Sequence, residues 1–247
     1  MSVSLTVLHV RDADPLMVEQ ALETIFAKDG CPQTLRLEGT YSAVLGRVTD
    51  PDLEARYRYL ILRPHEAAWT PVLELGNRTV NIDVELSRAL NGCAVFTTFV
   101  YGDVVSGYRM ARNGVETDQY VSDPTYFQYL EDETSTDPVR TNSIAGDQGH
   151  PERFADLLPS GTTPEEFERV VLRPGWWEEH QARYDEPGTT HDTREDDAED
   201  EWVDEVDRMR CMALALELWG SSDYPFAQEP EDIPNAMAGP AIALAFV

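Results

Sequence analysis

Along the first half of the chain the apolar positions change period several times, and each change marks an element. Ser4 to Val10 (SLTVLHV) is rich in strand-favouring residues. Asp14 and Pro15 then supply an N-cap and the residue favoured at the first helical position. Val18, Ala21, Leu22, Ile25 and Phe26 recur at helical spacing until Gly30 provides a stop. Three extended segments follow, Thr34 to Glu38, Tyr41 to Val48 and Arg56 to Leu62, with Pro64 ending the last. From Trp69 the order starts again. Thr70 to Leu75 reads as a strand, and Ile82, Leu86, Ala89 and Leu90 as a short amphipathic helix ended by Asn91-Gly92. Cys93 to Val100, Val104 to Arg112 and Val115 to Val121 then read as strands. Asn113-Gly114 joins the last two, and both residue types accept the positive φ of a two-residue type I′ turn. That hairpin sets Arg112 opposite Val115 and Tyr108 near Tyr120.

The half-units 1–64 and 69–121 thus share the order strand, helix, three strands. Their helix exits are alike too, Asp29-Gly30-Cys31 against Asn91-Gly92-Cys93. The expected fold is α+β over residues 1–130, a largely antiparallel sheet with helices on one face.

The second half is patterned differently. Residues 131–149 are polar and aperiodic, as in a surface loop or linker. The region 150–247 is expected to be acidic, mainly helical and packed on the first domain. Thr163, Pro164 and Glu166 form a capping-box start, with Phe167, Val170 and Val171 as the apolar face. Pro174-Gly175 closes that helix, and Trp176-Trp177 opens another that runs to Tyr184. Asp192 to Glu201 holds seven acids in ten residues. Such a stretch favours solvation, and the segment from Thr190 to Glu201 is expected to be cut first by proteases. Trp202, Val206, Met209, Met212, Ala213, Leu216 and Trp219 then define a helix that Gly220 ends. Ala241 to Val247 suits either a terminal strand or an extended tail.

Charge changes this picture more than composition does. Of the net charge of −27, residues 1–121 carry −5 (16 acids, 11 bases) and residues 122–247 carry −22 (30 acids, 8 bases). A field of that sign repels nucleic acid and anionic membranes and attracts basic partners. A hydrophobic content of 42% is too high for a disordered polyanion. Lys28 is the only lysine, a bias that the GC-rich codons of arginine account for and that halophilic adaptation shares, although a halophile's surface is acidic throughout and this first half is nearly balanced. No apolar run is long enough to cross a bilayer, and the first residues lack the basic flank and cleavage site of a signal peptide. Cys31, Cys93 and Cys211 are odd in number and far apart, which suits a reduced cytoplasm.

Catalytic signatures are absent: there is no GxGxxG, P-loop, GxSxG or HExxH. No catalytic residue, cofactor or cofactor-binding residue is assigned. Of the five histidines, His9 alternates with apolar neighbours in the first strand and reads as a packed or edge residue. Glu178, Glu179, His180 and His191 are the best metal candidates, because Glu and His on one helical turn with a second His on a loop form a zinc- or manganese-type donor set. Asp196 to Glu201 lacks the central glycine of an EF-hand loop. Trp176, Trp177, Trp202 and Trp219 serve either as core cover or as interface anchors. Without a nearby basic residue of known geometry, neither Cys31 nor Cys93 is assigned as a nucleophile.

The stretch Tyr108 to Phe127 (YRMARNGVETDQYVSDPTYF), with Leu86-Ser87-Arg88-Ala89-Leu90 upstream, resembles uncharacterised bacterial cytosolic α+β proteins, some of them immunity-protein-like. The resemblance covers Trp69 to Tyr129 and carries over no catalytic residues. The function expected is cytoplasmic and non-enzymatic, binding a basic protein partner and neither nucleic acid nor membrane. The alternative is a metal-dependent hydrolase using Glu178, Glu179, His180 and His191. A third possibility is that the acidity confers solubility alone.

Overall fold

The computed structural model describes residues 4–62, 68–75, 81–101, 105–122, 149–168 and 240–247. They form strands β1 (Ser4–Arg11), β2 (Gln33–Thr40), β3 (Tyr57–Leu62), β4 (Trp69–Glu74), β5 (Val95–Tyr101), β6 (Val105–Arg112), β7 (Val115–Val121) and β8 (Pro240–Phe246). The helices are α1 (Pro15–Lys28), α2 (Tyr41–Val48), α3 (Ile82–Ala89) and α4 (Pro164–Phe167), with a 3-10 turn at Pro151–Phe154. All eight strands join one sheet in the order β2-β8-β3-β4-β1-β5-β6-β7, and every pairing is antiparallel. Among the described residues no helix is long and apolar enough to cross a membrane.

The α1 boundaries are those the sequence dictates. The Asp14 carboxylate accepts from the amides of Leu16 (2.8 Å) and Met17 (3.0 Å), and Pro15 occupies the first turn. Gly30 at φ +73° lets the Cys31 amide reach back to Phe26 O (2.9 Å), satisfying a terminal carbonyl. The α3 exit is built differently. Asn91 (φ 54°) and Gly92 (φ 91°) are both left-handed, and it is the Gly92 amide that returns to Ser87 O. The like sequences Asp29-Gly30-Cys31 and Asn91-Gly92-Cys93 therefore fold one residue out of step.

Helices cover both faces of the sheet, not one. Leu8, Val10, Tyr59, Ile61, Val72, Ile242, Leu244 and Phe246 pack under α1 and α3. On the opposite face Val7, Leu60, Trp69, Leu73, Phe96, Tyr108 and Ala243 pack under α2 and under Phe154, Leu157 and Phe167. With a regular period of two, a strand buried on both sides is continuously apolar, and β8 (PAIALAF) reads that way.

Tyr41–Val48 is helix rather than the extended segment expected from its residue types. Tyr41, Val44, Leu45 and Val48 are its buried positions, an i, i+3, i+4, i+7 stripe that suits a helix on a sheet. Burial of that stripe outweighs the strand preference of tyrosine and valine. The first half-unit is thus strand, helix, strand, helix, strand, and the proposed repeat of three strands fails there.

Pro71 stands inside β4, an interior strand, and the ladder accommodates it. The Asp12 amide donates to Ala68 O (2.9 Å), so the even-numbered residues of β4 face β1 and Pro71 faces β3. Pairing with β3 ends at Val72, one residue short of the missing N–H. The hairpin is as read: Asn113 (φ 53°) and Gly114 (φ 73°) are both left-handed, Arg112 pairs with Val115 and Tyr108 with Tyr120. Residues 240–246 belong to this same sheet, with β8 lying between β2 and β3. The helices expected at 176–184 and 202–219, the acidic stretch 190–201 and all of the expected linker 131–149 except Gly149 lie outside the described residues.

Candidate functional site

The densest polar cluster in the described chain sits where β7 meets the segment 149–158, and a β-bulge creates it. Met110 pairs with Asp118 but Ala111 with Glu116, leaving Thr117 as an extra residue whose hydroxyl donates to Met110 O (3.2 Å). A bulge shifts the phase of every side chain beyond it. Asp118 and Tyr120 are thereby turned to the face of Tyr108 and Phe154, and the Asp118 carboxylate is fully enclosed.

That carboxylate is well supplied with donors. Tyr108 Oη donates to Oδ2 (2.8 Å), as does the His150 amide (3.1 Å). His150 Nδ1 lies 2.9 Å from Oδ1, and Arg153 Nη1 lies 3.3 Å from the same oxygen. Burial first, and then the Asp118 charge, raises the Tyr108 phenol well above its usual range, so it stays a donor. Three arginines tie down the rest of the segment. Arg112 grips Asp156 with two 2.8 Å bonds, Arg11 Nη1 reaches Leu157 O (3.0 Å), and Arg153 reaches Thr117 O. Arg112 and its neighbours hold the Asp156 carboxyl below the usual range. Beneath these polar contacts Phe154 sets its ring edge-on to Phe96 and Tyr108 and stacks on Phe167 (4.7 Å).

A carboxylate-held imidazole is able to move a proton. Every contact of Asp118, however, runs to the sheet or to the start of the 3-10 turn, so the cluster works as a clamp on residues 149–158. A second buried acid is handled likewise on the other face. Asp83 meets Arg109 (3.2 Å), which also binds Glu116 (3.0 Å) and Asn81 (3.2 Å) and so fixes α3 to the hairpin. The hairpin turn is tied to α3 again by the Gly114 amide, which donates to Ser87 Oγ (2.9 Å).

Among the described residues no group of three or more His, Cys, Asp or Glu is placed to hold a metal. Glu178, Glu179, His180 and His191, and the four tryptophans at 176, 177, 202 and 219, lie outside those residues. His9 is placed inside the molecule on interior strand β1, not at an edge, with Thr98 Oγ1 3.4 Å from Nε2. Burial lowers its pKa to about 3, so it is neutral. Burial also raises the Cys93 thiol, the opposite of what a nucleophile needs.

The sequence pattern singled out none of Tyr108, Asp118, His150 or Arg153 as a group. One signal pointed to it: between the pairs 108–120 and 112–115, β7 holds one residue more than β6, which requires a bulge. Compared with known proteins, the chain matches no family model, no curated protein and no solved structure. The described residues define an α+β protein built on a single antiparallel sheet.

Proposed function

We propose that this is a non-enzymatic cytoplasmic binding protein whose acidic second half receives a basic protein partner, as an immunity or inhibitor protein does. The observation that carries this reading is the partition of charge, −22 in residues 122–247 against −5 in residues 1–121. The described fold spends its buried acids on its own bases and phenol: Glu19 on Arg36, Asp83 on Arg109, and Asp118 on Tyr108, His150 and Arg153. The 30 acids of residues 122–247 have only 8 basic residues to offset them within that half. A surplus of that size steers a basic partner to the surface and speeds encounter, an effect that falls steeply with ionic strength.

Affinity capture from native lysate, beside a charge-matched control polyanion, tests this directly. A basic protein should be enriched over the control, and the purified pair should associate more slowly as salt is raised. If nothing is enriched over the control, the proposal is lost.

A further inference from the structure

The two edges of the sheet are treated unequally. At the β7 edge the outward carbonyls of Thr117 and Gln119 accept from Arg153 and from the Gly149 amide (2.8 Å), so the clamped segment blocks it. At the other edge, β2, no strand among the described residues pairs with the outer side. An open edge is a template for further pairing. Residues 33–40 contain neither proline nor lysine, and the single irregularity lies between Gln33 and Leu35.

The hydrogen-bond phase shows what β2 offers. Val247 N donates to Pro32 O (3.2 Å), while Phe246 O accepts from Arg56 N (2.8 Å). Odd-numbered residues of β8 therefore face β2, and their partners Leu35, Leu37 and Gly39 turn their backbone groups inward. Arg36 and Glu38 turn theirs outward. Their side chains share the α1 face, 3.5 Å apart, each still 41% and 45% exposed. Leu35 and Leu37 stand on the α2 face, only partly covered.

We propose that β2 pairs antiparallel with β2 of a second copy about a two-fold axis through Leu37. In that register each Arg36 stands opposite the other copy's Glu38, and the two Leu37 side chains meet on the axis. Charge selects the register. The neighbouring in-phase alternatives set Arg36 against Arg36 or Glu38 against Glu38, and like charges directly opposite are destabilising. The two-fold makes the Arg36–Glu38 contact occur twice and closes the assembly at a dimer.

Sedimentation of the full chain at about 100 µM in moderate salt, where repulsion between two acidic chains is screened, should give the mass of a dimer. Glu38→Arg sets arginine against arginine twice and should weaken the dimer at least about tenfold while leaving the circular-dichroism spectrum of the folded chain unchanged. Leu37→Cys should cross-link under mild oxidation above the wild-type level, because residues of a non-hydrogen-bonded antiparallel pair lie about 4.5 Å apart at Cα, within reach of a disulfide. Leu35→Cys, which faces Gly39, should not. A monomer at this concentration overturns the proposal, and so does a dimer indifferent to Glu38→Arg or cross-linked through position 35 but not 37.

Discussion

His9 shows how a single residue sets a condition on stability. In the fold it is neutral, with a pKa lowered to about 3 from the ordinary 6.5 by burial. The unfolded chain therefore binds a proton that the folded chain refuses, and stability present above the ordinary value is lost as pH falls toward 3. On lowering the pH from 6.5 to about 5, this one group costs about 1.6 kcal/mol. Denaturant titrations at the two pH values should show that loss in the wild type and a smaller one in His9→Gln. An equal loss in both would mean that His9 is not the cause. Gly114 sets a steric condition instead. A Cβ there meets Arg88 Nε at 2.6 Å and Arg88 Cβ at 2.9 Å, and the φ of +73° already disfavours a side chain. Gly114→Val should cost about 1–3 kcal/mol by chemical denaturation. Val115→Thr, at the exposed neighbouring position, should cost little.

The segment 149–158 behaves as an element although little of it is regular structure, because Asp118 and three arginines hold it. Asp118→Ala removes the acceptor for the Tyr108 hydroxyl, the His150 ring and amide, and one bond of Arg153. A loss of about 2–4 kcal/mol is expected, with faster proteolysis inside 149–158. Tyr108→Phe deletes one hydrogen bond and leaves the others, so about 1 kcal/mol is expected. If Asp118→Ala were no more susceptible to protease than Tyr108→Phe, the clamp would be misassigned. The legibility of elements in the sequence follows the same logic. Elements whose signals are local are legible with near-correct limits: α1 from its cap, stripe and glycine, and the β6–β7 hairpin from Asn113-Gly114. Tyr41–Val48 is not legible because residue type and spacing disagree there, and spacing decides only once a sheet face is present to bury the stripe. The role of Asp118 is not legible because its burial depends on the Thr117 bulge, a two-strand property that no single-strand pattern displays. The side of the sheet that each helix takes is a tertiary choice, which is why one face was expected and two are covered.

Across the sheet, β2 and β3 do not pair: β8 fills the place between them and pairs with both. Its apolar residues belong to both cores, Ala241 and Ala243 to one and Ile242, Leu244 and Phe246 to the other. A chain ending at Gly239 should therefore lose cooperative unfolding altogether, since β2 forfeits its only strand neighbour among the described residues. Circular dichroism on heating would check this, and a sharp transition near the wild-type midpoint would contradict it. The placement also fixes an order of events during translation. Elements from β1 to β7 are synthesised before β8, so the nascent chain is expected to expose an unfilled, apolar slot while synthesis continues. Slots of that kind recruit chaperones and aggregate when crowded. Stalling synthesis between residues 168 and 240 should trap a protease-sensitive chain that binds chaperones, and release should convert it to the resistant form only after Phe246 emerges. Maturation of this protein is thus expected to wait for β8.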